Sequence, residues 1–559
     1  MTEISKSGGA LLIECLQNLG VTKCFGVPGE SYLDVLNALH DTRGKVDFVI
    51  CRNEGGAAFM AEAWGKLTGK PGICMVTRGP GATNASIGVH TAMQDSTPMI
   101  LFVGQVGTDM KGREAFQEIE YKSFYGTVAK WVVEIDHVDR VPELVSRAWT
   151  TALSGRPGPV VVALPEDMLT TLSQKPACKP VKIPEPAPSE KTVSDALQLL
   201  AKTKKPLIIA GGNSWTKEGK AALKAFAETS DIPVVAAFRF QDLIDNESKC
   251  YCGDAGVGMI PHIKNLIKSA DTILALNIRF GEMTTDAYTL FDAPNTHQTL
   301  IHSHLSDAEI GKIYSADLPI HCGPNHLATA LSKSPVTGDW AEWRQSARAG
   351  FEASLDAPAQ PGPVDMMAVT KIITAQLPND AIITNGAGNF AIWPNKFIKY
   401  TKEMRLLAPQ SGAMGYGVPA SIAAKVADPD RFVLCFAGDG DFQMNCQELG
   451  TAMQAGATPI ILILNNGTYG TIRMHQERTY PERISGTQLM NPDFVGLAKS
   501  YGFYAEKVAA TADFEKAFER AIASKTGAVL ELMLSEEALT PRQTLSQMRA
   551  IAMEKARSF

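Results

Sequence analysis

Two short polar motifs in the last third of the chain carry residue types that can hold a cation. Gly438-Asp439-Gly440 and Asn465-Asn466 are separated by positions 441 to 464, about two dozen residues. One carboxylate, one amide oxygen and Gly-containing backbone suit a hard cation that shares its shell with a phosphate, and Mg²⁺ is the natural ion. Either motif alone reads as a turn, because Gly, Asp and Asn dominate turns. Their spacing and their setting shift the reading towards a site.

The setting is a strand, a helix and a second strand. Phe432 to Ala437 is an apolar run of the kind buried on both faces of a parallel sheet. Phe442 to Gln454 reads as a helix, with Phe442, Leu449, Ala452 and Met453 apolar and Gly456 placed to stop it. Pro459 to Leu464 is another apolar, β-branched run. A strand–helix–strand crossover brings both strands to the same sheet edge, so Asp439 and Asn466 are expected together at the carboxyl edge, where open α/β sheets bind ligands.

A second carboxylate stands in a comparable place near the start. Glu54 follows the run Phe48 to Cys51 and precedes the small residues Gly55 to Ala58, which let another group approach. From position alone it reads as a helix-start acid favoured by the dipole.

The rest of the chain supplies elements to position these groups. Strands are expected at Val46–Cys51, Gly72–Val76, Pro98–Gly104 and within SGRPGPVVVALPED, with the loop TRGPGATN and a helix through Met93 between them. Ser173 to Lys191, rich in Pro and Lys, reads as an extended linker. Beyond it, strands are expected at 206–210, 232–237, 272–276 and 299–302, and DAPAQPGPV at 356–364 marks a second boundary. Thr97-Pro-Met-Ile-Leu-Phe102 and Thr458-Pro-Ile-Ile-Leu-Ile463 follow helices in the same way, which hints at two domains of one topology. The expected fold is three doubly wound α/β domains with parallel sheets, at 1–172, 192–335 and 364–541, and a C-terminal helix at 542–559.

Composition removes several classes of function. A net charge of −6 and a pI near 6.0 give no basic footprint for nucleic acid. No apolar run is long enough to span a membrane, and MTEISKSGG lacks the apolar core of a signal peptide, so a cytoplasmic protein is expected. The ten cysteines are scattered without zinc-site spacing. Neither GxGxxG after a strand nor GxxxxGK[ST] occurs, which argues against a nicotinamide dehydrogenase.

The stretch from Phe432 to Gly470 resembles the metal-diphosphate signature of thiamine-diphosphate enzymes, and FGVPGE, RNEGGAAFMAEAWGKLTGKPG, TRGPGATN, AMQDSTPM, EAFQE, SGRPGPV, GAMGYGVPA, GDGDFQMNCQEL and NNGTYGTIR carry the likeness along nearly the whole chain. They point to the acetolactate-synthase-like branch. The resemblance implies pyrimidine-binding, central nucleotide-binding-like and diphosphate-binding domains. It implies thiamine diphosphate and Mg²⁺, with the metal on Asp439, Asn466 and the Thr468 carbonyl. The motif glycines Gly438, Gly440 and Gly470 and the amides of Gly388 and Asn389 would surround the diphosphate. Gly412 would offer its carbonyl to the 4′-amino group, Met414 would wedge between the cofactor rings, and Glu54 would hydrogen-bond the aminopyrimidine at N1′. Pro28, Thr77, Gly81 and Asn84 would line the pyrimidine side, with Gln117 pointing into the site; Met414 as core filler and Gln117 as a solvated helix residue are the plainer readings.

Departures from the family bear on substrate. His475 stands where biosynthetic acetolactate synthases carry a Trp that selects the acceptor, and Glu30 stands where they carry Gly. Glu30 and His475 could form an acid–base pair, against the plainer reading of a surface acid and a solvated imidazole. Arg279-Phe280 resembles a flavin-binding strand end, whereas CGDAGVGM only loosely replaces the partner loop, so FAD, ADP and an empty central site stay open. The expected activity is decarboxylation of a small 2-oxo acid with transfer to a carbonyl acceptor. A benzoylformate-type decarboxylase and a non-catalytic paralogue are the alternatives; a pyruvate-decarboxylase type is disfavoured because no His-His pair occurs. The resemblance also implies a homodimer or a dimer of dimers.

Overall fold

The computed structural model describes residues 5–401 and 403–557, arranged around three six-stranded sheets. Apolar runs such as Met99–Gln105, Pro159–Pro165 and Val433–Gly438 are buried along their whole length, as strands covered on both faces must be. Every pairing within these three sheets is parallel. An antiparallel pair outside them joins Lys6–Ser7 to Leu172–Ser173 and ties the start of the first domain to its end.

The first sheet runs, in space, Asp47–Ile50, Lys23–Gly26, Gly72–Val76, Met99–Gln105, Pro159–Pro165, Trp131–Glu134. The last runs Arg405–Leu407, Ile382–Asn385, Val433–Gly438, Ile460–Asn465, Ala528–Met533, Tyr504–Val508. Numbered by chain order within each sheet, both read 2-1-3-4-6-5, whereas the central sheet reads 3-2-1-4-5-6. The two similar runs at Thr97 and Thr458 thus lead into the fourth strand of sheets with identical topology.

These orders place the crevices. In an open parallel sheet, ligands bind beyond the carboxyl ends of the strands where the chain's winding reverses. In the last sheet the reversal lies between Ile382–Asn385 and Val433–Gly438, whose following loops carry Gly388 and Asp439. In the first it lies between Lys23–Gly26 and Gly72–Val76, followed by Pro28–Glu30 and by Thr77.

The first and last domains share one apolar cluster. The helices Glu54–Thr68 and Gly417–Ala427 meet there through small residues, Ala57, Ala58 and Ala61 on one and Ala420, Ala423 and Ala424 on the other, all fully or almost fully buried. The Phe59 and Tyr416 rings meet edge to face at 5.4 Å, and the Tyr416 hydroxyl donates to Glu62 at 2.5 Å. Arg405 bonds Asp242, and Lys396 bonds Asp254, joining the last domain to the central one.

Several elements differ from the sequence expectation. TRGPGATN is not a loop beyond Arg78: Gly79–Asp95 is one helix, with Pro80 in its first turn, where a missing N–H costs nothing. The expected helix from Phe442 to Gln454 is broken into Asp439–Gln443, a 3₁₀ turn at Cys446–Glu448, and Leu449–Ala455. The break falls at Asn445, whose side-chain amide donates to the Gly415 carbonyl at 2.8 Å, a tertiary bond to a distant loop. Gly456 ends the last piece in the left-handed conformation, as expected. Strands at Lys23–Gly26, Trp131–Glu134, Tyr251–Ala255 and Leu318–His321 lie outside the apolar runs singled out in the sequence, being short and interspersed with polar residues or Gly. Residues 174–189 carry no helix or strand, in keeping with a linker, and the final helix spans Leu545–Arg557.

Candidate functional site

Gly438 lies in register with Leu464 on the neighbouring parallel strand, so the two polar motifs leave the sheet side by side. Asp439 is almost wholly buried. Its Oδ1 accepts the Gly440 amide at 3.0 Å, and its Oδ2 accepts the Gly467 amide at 2.9 Å and the Asn491 side-chain amide at 2.7 Å. Burial pushes the Asp439 carboxyl above its ordinary range, against the pull of Asn491 and the two backbone amides. A buried carboxylate whose charge is not fully offset fits a cation.

The two asparagines divide the work. Asn465 is buried, donates to Glu531 at 2.7 Å and accepts from Asn491 at 2.9 Å, so it locks the strand end. Asn466 is half-buried, and its Oδ1 accepts the Thr468 amide at 3.2 Å. The Thr468 hydroxyl is engaged with the Thr487 carbonyl at 2.8 Å, leaving that residue's backbone as its donor to a metal. Among the described residues no group of three or more His, Cys, Asp or Glu could hold a metal ion. A cation here would draw on the single Asp439 carboxylate together with amide and carbonyl oxygens, a donor set that suits Mg²⁺.

Asp441, two residues on, organises the surrounding loops. It is buried, and its Oδ1 accepts the Gly415 amide at 2.8 Å and the Ala387 amide at 3.2 Å. One carboxyl group thereby joins the Gly412–Gly415 loop to the Gly386–Asn389 loop. Gly386 permits this approach, since a Cβ there would stand 2.0 Å from Asp441 Oδ1. Desolvation raises the Asp441 carboxyl to about 7. Asn389 continues the wall, its Oδ1 accepting from the Thr471 hydroxyl at 2.9 Å. Met414 is half-buried and Gly412 exposed, so both stand at the edge of the cleft.

In the first domain Glu54 opens the helix Glu54–Thr68 and is half-buried; its Oε2 accepts from Asn84 at 2.9 Å, and Gly81 lies beside its Oε1. Thr77 pairs with Ser31 through their hydroxyls at 3.0 Å. Pro28 is exposed on the loop before them. Gln117 is not on a helix, which corrects its plainer reading: it sits in a turn at φ 65°, and its carbonyl accepts the Gly79 amide at 3.0 Å. Glu30 is largely exposed, and its recorded partner is Arg78, at 3.1 Å. Arg78 is buried, also lies 3.3 Å from Glu166, and donates to the Phe116 carbonyl at 3.4 Å. His475 is exposed on the helix Gly470–Thr479.

Family models match all three units of the chain: the N-terminal TPP binding domain of thiamine pyrophosphate enzymes over residues 6–124, their central domain over 193–331, and their C-terminal TPP binding domain over 386–532. The chain belongs to the thiamine-diphosphate enzymes. It is 30% identical over 533 residues to the acetolactate synthase isozyme 2 large subunit of Escherichia coli, covering 95% of this chain and 96% of that one. It is 33% identical over 507 residues to the acetolactate synthase large subunit of Lactococcus lactis, covering 89% and 87%. The Corynebacterium glutamicum large subunit is 31% identical over 538 residues, covering 92% and 84%.

As a thiamine-diphosphate enzyme related to the acetolactate synthases, the protein has residues that its motifs alone do not disclose. Asn491 lies outside both motifs, and only its bonds to Asp439 and Asn465 reveal it. Arg78 sits inside TRGPGATN, and its charge was the available signal. Among the described residues, no helix is long and apolar enough to cross a membrane.

The central sheet of this thiamine-diphosphate enzyme has its own crevice, a cavity of about 30 Å³ lined by Gly212, Asn213, Asn277, Arg156 and Arg279 among others. Arg156 and Arg279 lie 3.1 and 3.7 Å from the carboxylate of Glu309, which is 8% exposed. Glu309 thus pairs with both cations beside this crevice.

Proposed function

We propose that this chain is a Mg²⁺-dependent carboligase or lyase of short 2-oxo acids, of the kind the acetolactate synthases exemplify. Thiamine-diphosphate-dependent decarboxylase and carboligase chemistry is the family-level activity. The observation that carries the finer reading is the meeting of buried Asp439 with the Asn465–Asn466 turn at one sheet edge.

Asp439, the Asn466 side chain and the Thr468 carbonyl would hold Mg²⁺. Gly438, Gly440 and Gly470 would surround the diphosphate together with Gly388 and Asn389; Gly412 and Met414 would meet the aminopyrimidine and the bend. Pro28, Thr77 and Gly81 would wall its other side. Thiamine diphosphate, when bound, supplies a nucleophilic carbon and an electron sink for loss of CO₂. Glu54 would hold a proton against pyrimidine N1′, with the Asn84 amide on Oε2 fixing the other face of its carboxyl. Glu30, Gln117 and His475 are the candidates to act on the substrate; the Arg78 bond gives Glu30 a fixed direction.

The boundaries 1–172, 192–335 and 364–541, with the helix beyond 541, are our reading of the domains. We further propose that two copies associate. Large apolar side chains lie exposed on the first and last domains, among them Leu33 at 62%, Phe116 at 73%, Ile472 at 55% and Met490 at 100%. Association would cover such side chains, and the Glu54 and Asp439 edges need to meet over one cofactor.

The deciding experiment measures CO₂ release from a panel of 2-oxo acids with thiamine diphosphate and Mg²⁺, with and without aldehyde or 2-oxo acid acceptors. Ligated product in the presence of acceptor supports the carboligase; CO₂ with only the free aldehyde identifies a decarboxylase. No release from any short 2-oxo acid would overturn the proposal.

A further inference from the structure

Glu448, in the 3₁₀ turn that follows the metal loop, has a fully buried side chain whose hydrogen bonds reach into the first domain. Both its carboxylate oxygens lie 3.2 Å from the Arg52 amide, and Oε1 also accepts the Asn53 amide at 2.9 Å. The Thr451 hydroxyl donates to Oε2 at 2.6 Å and fixes the carboxylate from its own helix. These two amides immediately precede Glu54, the first residue of its helix. Asn53 then caps that helix, its Oδ1 accepting the Gly55 amide at 2.8 Å. The Arg52 side chain reinforces the grip by donating to the Gly450 carbonyl at 3.1 Å and to Gln454 at 2.8 Å.

Gly56 makes the approach possible. A Cβ there would stand 2.6 Å from Glu448 Oε1 and 2.7 Å from its Cδ. The small residues after Glu54 therefore admit a carboxylate of the last domain.

We propose that Glu448 is a positioning residue for Glu54, holding the backbone from Arg52 to Asn53 so that the Glu54 carboxyl is delivered at a fixed place in the cleft. Two backbone amides bound by one buried carboxylate leave the start of the helix little freedom, and Asn84 then sets the side chain. This rests on the reading of Glu54 as the group that meets the cofactor. Displacing a group that moves a proton by about 1 Å costs on the order of 100-fold in rate.

The test uses the full chain loaded with thiamine diphosphate and Mg²⁺, in the variants Glu448→Gln and Gly56→Ala. The second leaves the charge in place and crowds the carboxylate out. Cofactor affinity, measured by titration calorimetry, is expected to stay within about 3-fold of the parent, because the metal and diphosphate residues are untouched. kcat for CO₂ release is expected to fall about 10- to 100-fold with little change in KM. Deuterium uptake at the Arg52 and Asn53 amides is expected to rise in both variants. In a Glu54→Gln background, adding Glu448→Gln is expected to cause no further loss. An independent, multiplicative loss in that double variant would overturn the proposal, as would unchanged exchange at the two amides. Full turnover in Glu54→Gln alone would remove the underlying reading of Glu54, while the exchange result would still report the grip.

Discussion

Asn491 fastens Asp439: a single side-chain amide donates to Asp439 Oδ2 at 2.7 Å and to Asn465 Oδ1 at 2.9 Å, joining the two polar motifs through a residue that belongs to neither. Gln443 donates in turn to Asn491 Oδ1 at 2.9 Å, so the amide is held in one orientation. Partners that orient a metal ligand typically contribute 10- to 100-fold in affinity.

Asn491→Ala is therefore expected to weaken Mg²⁺-dependent retention of thiamine diphosphate by roughly 10-fold, and Asp439→Ala to abolish it. Calorimetric titration of cofactor at fixed Mg²⁺ checks both. Tight binding by Asp439→Ala would contradict the assigned metal site.

Glu54→Gln keeps the size and shape of the side chain and loses the ionisable carboxyl proton. It is expected to bind thiamine diphosphate and Mg²⁺ like the parent and to lose about 100-fold or more in turnover of 2-oxo acid. Equal kcat in the two proteins would show that Glu54 only starts a helix.

The last helix gives a pH-dependent prediction. Burial pushes the Glu477 carboxyl up, but bonds from Arg549, the Glu482 amide and Arg473 outweigh it and hold it at about 2. Arg549 Nη2 and Nε reach the two carboxylate oxygens at 2.8 and 3.0 Å, and Met474, Leu539, Leu545 and Met548 close an apolar contact beside them. A carboxyl held below its unfolded value adds stability above that unfolded value, and the gain is lost as pH falls through the folded one. Arg549→Ala is thus expected to lower the melting temperature at neutral pH, with the gap to the parent closing between about pH 4.5 and pH 2. Scanning calorimetry across that range measures it; a gap that widens on acidification would refute the docking role.

The central domain yields a spectroscopic prediction. With Arg156 and Arg279 both paired to Glu309 beside the central crevice, the purified protein is expected to show no visible flavin absorbance. A stoichiometric flavin band would show that this latch opens.

The sequence by itself determined the meeting of the two polar motifs, the sheet class and the family likeness. These depend on local patterns: apolar runs of strand length, turn residues at their ends, and a crossover whose handedness brings Asp439 beside Asn466. Two short Thr-Pro-led runs hinted that the first and last sheets share a topology, which the strand orders then showed. What only the tertiary structure decided were partners far apart in the chain: Asn491 on Asp439, Glu448 beneath Glu54, Asp441 between two loops, and Arg78 on Glu30. None of these has a periodicity or a fixed spacing, because a hydrogen bond between residues far apart in the chain depends on where whole helices and sheets come to rest. The broken helix after Asp439 is of the same kind, with Asn445 at the break bonding a loop some 30 residues earlier in the chain. Even the small residues after Glu54, read as room for another group, acquired their meaning only when the fold brought Glu448 against Gly56.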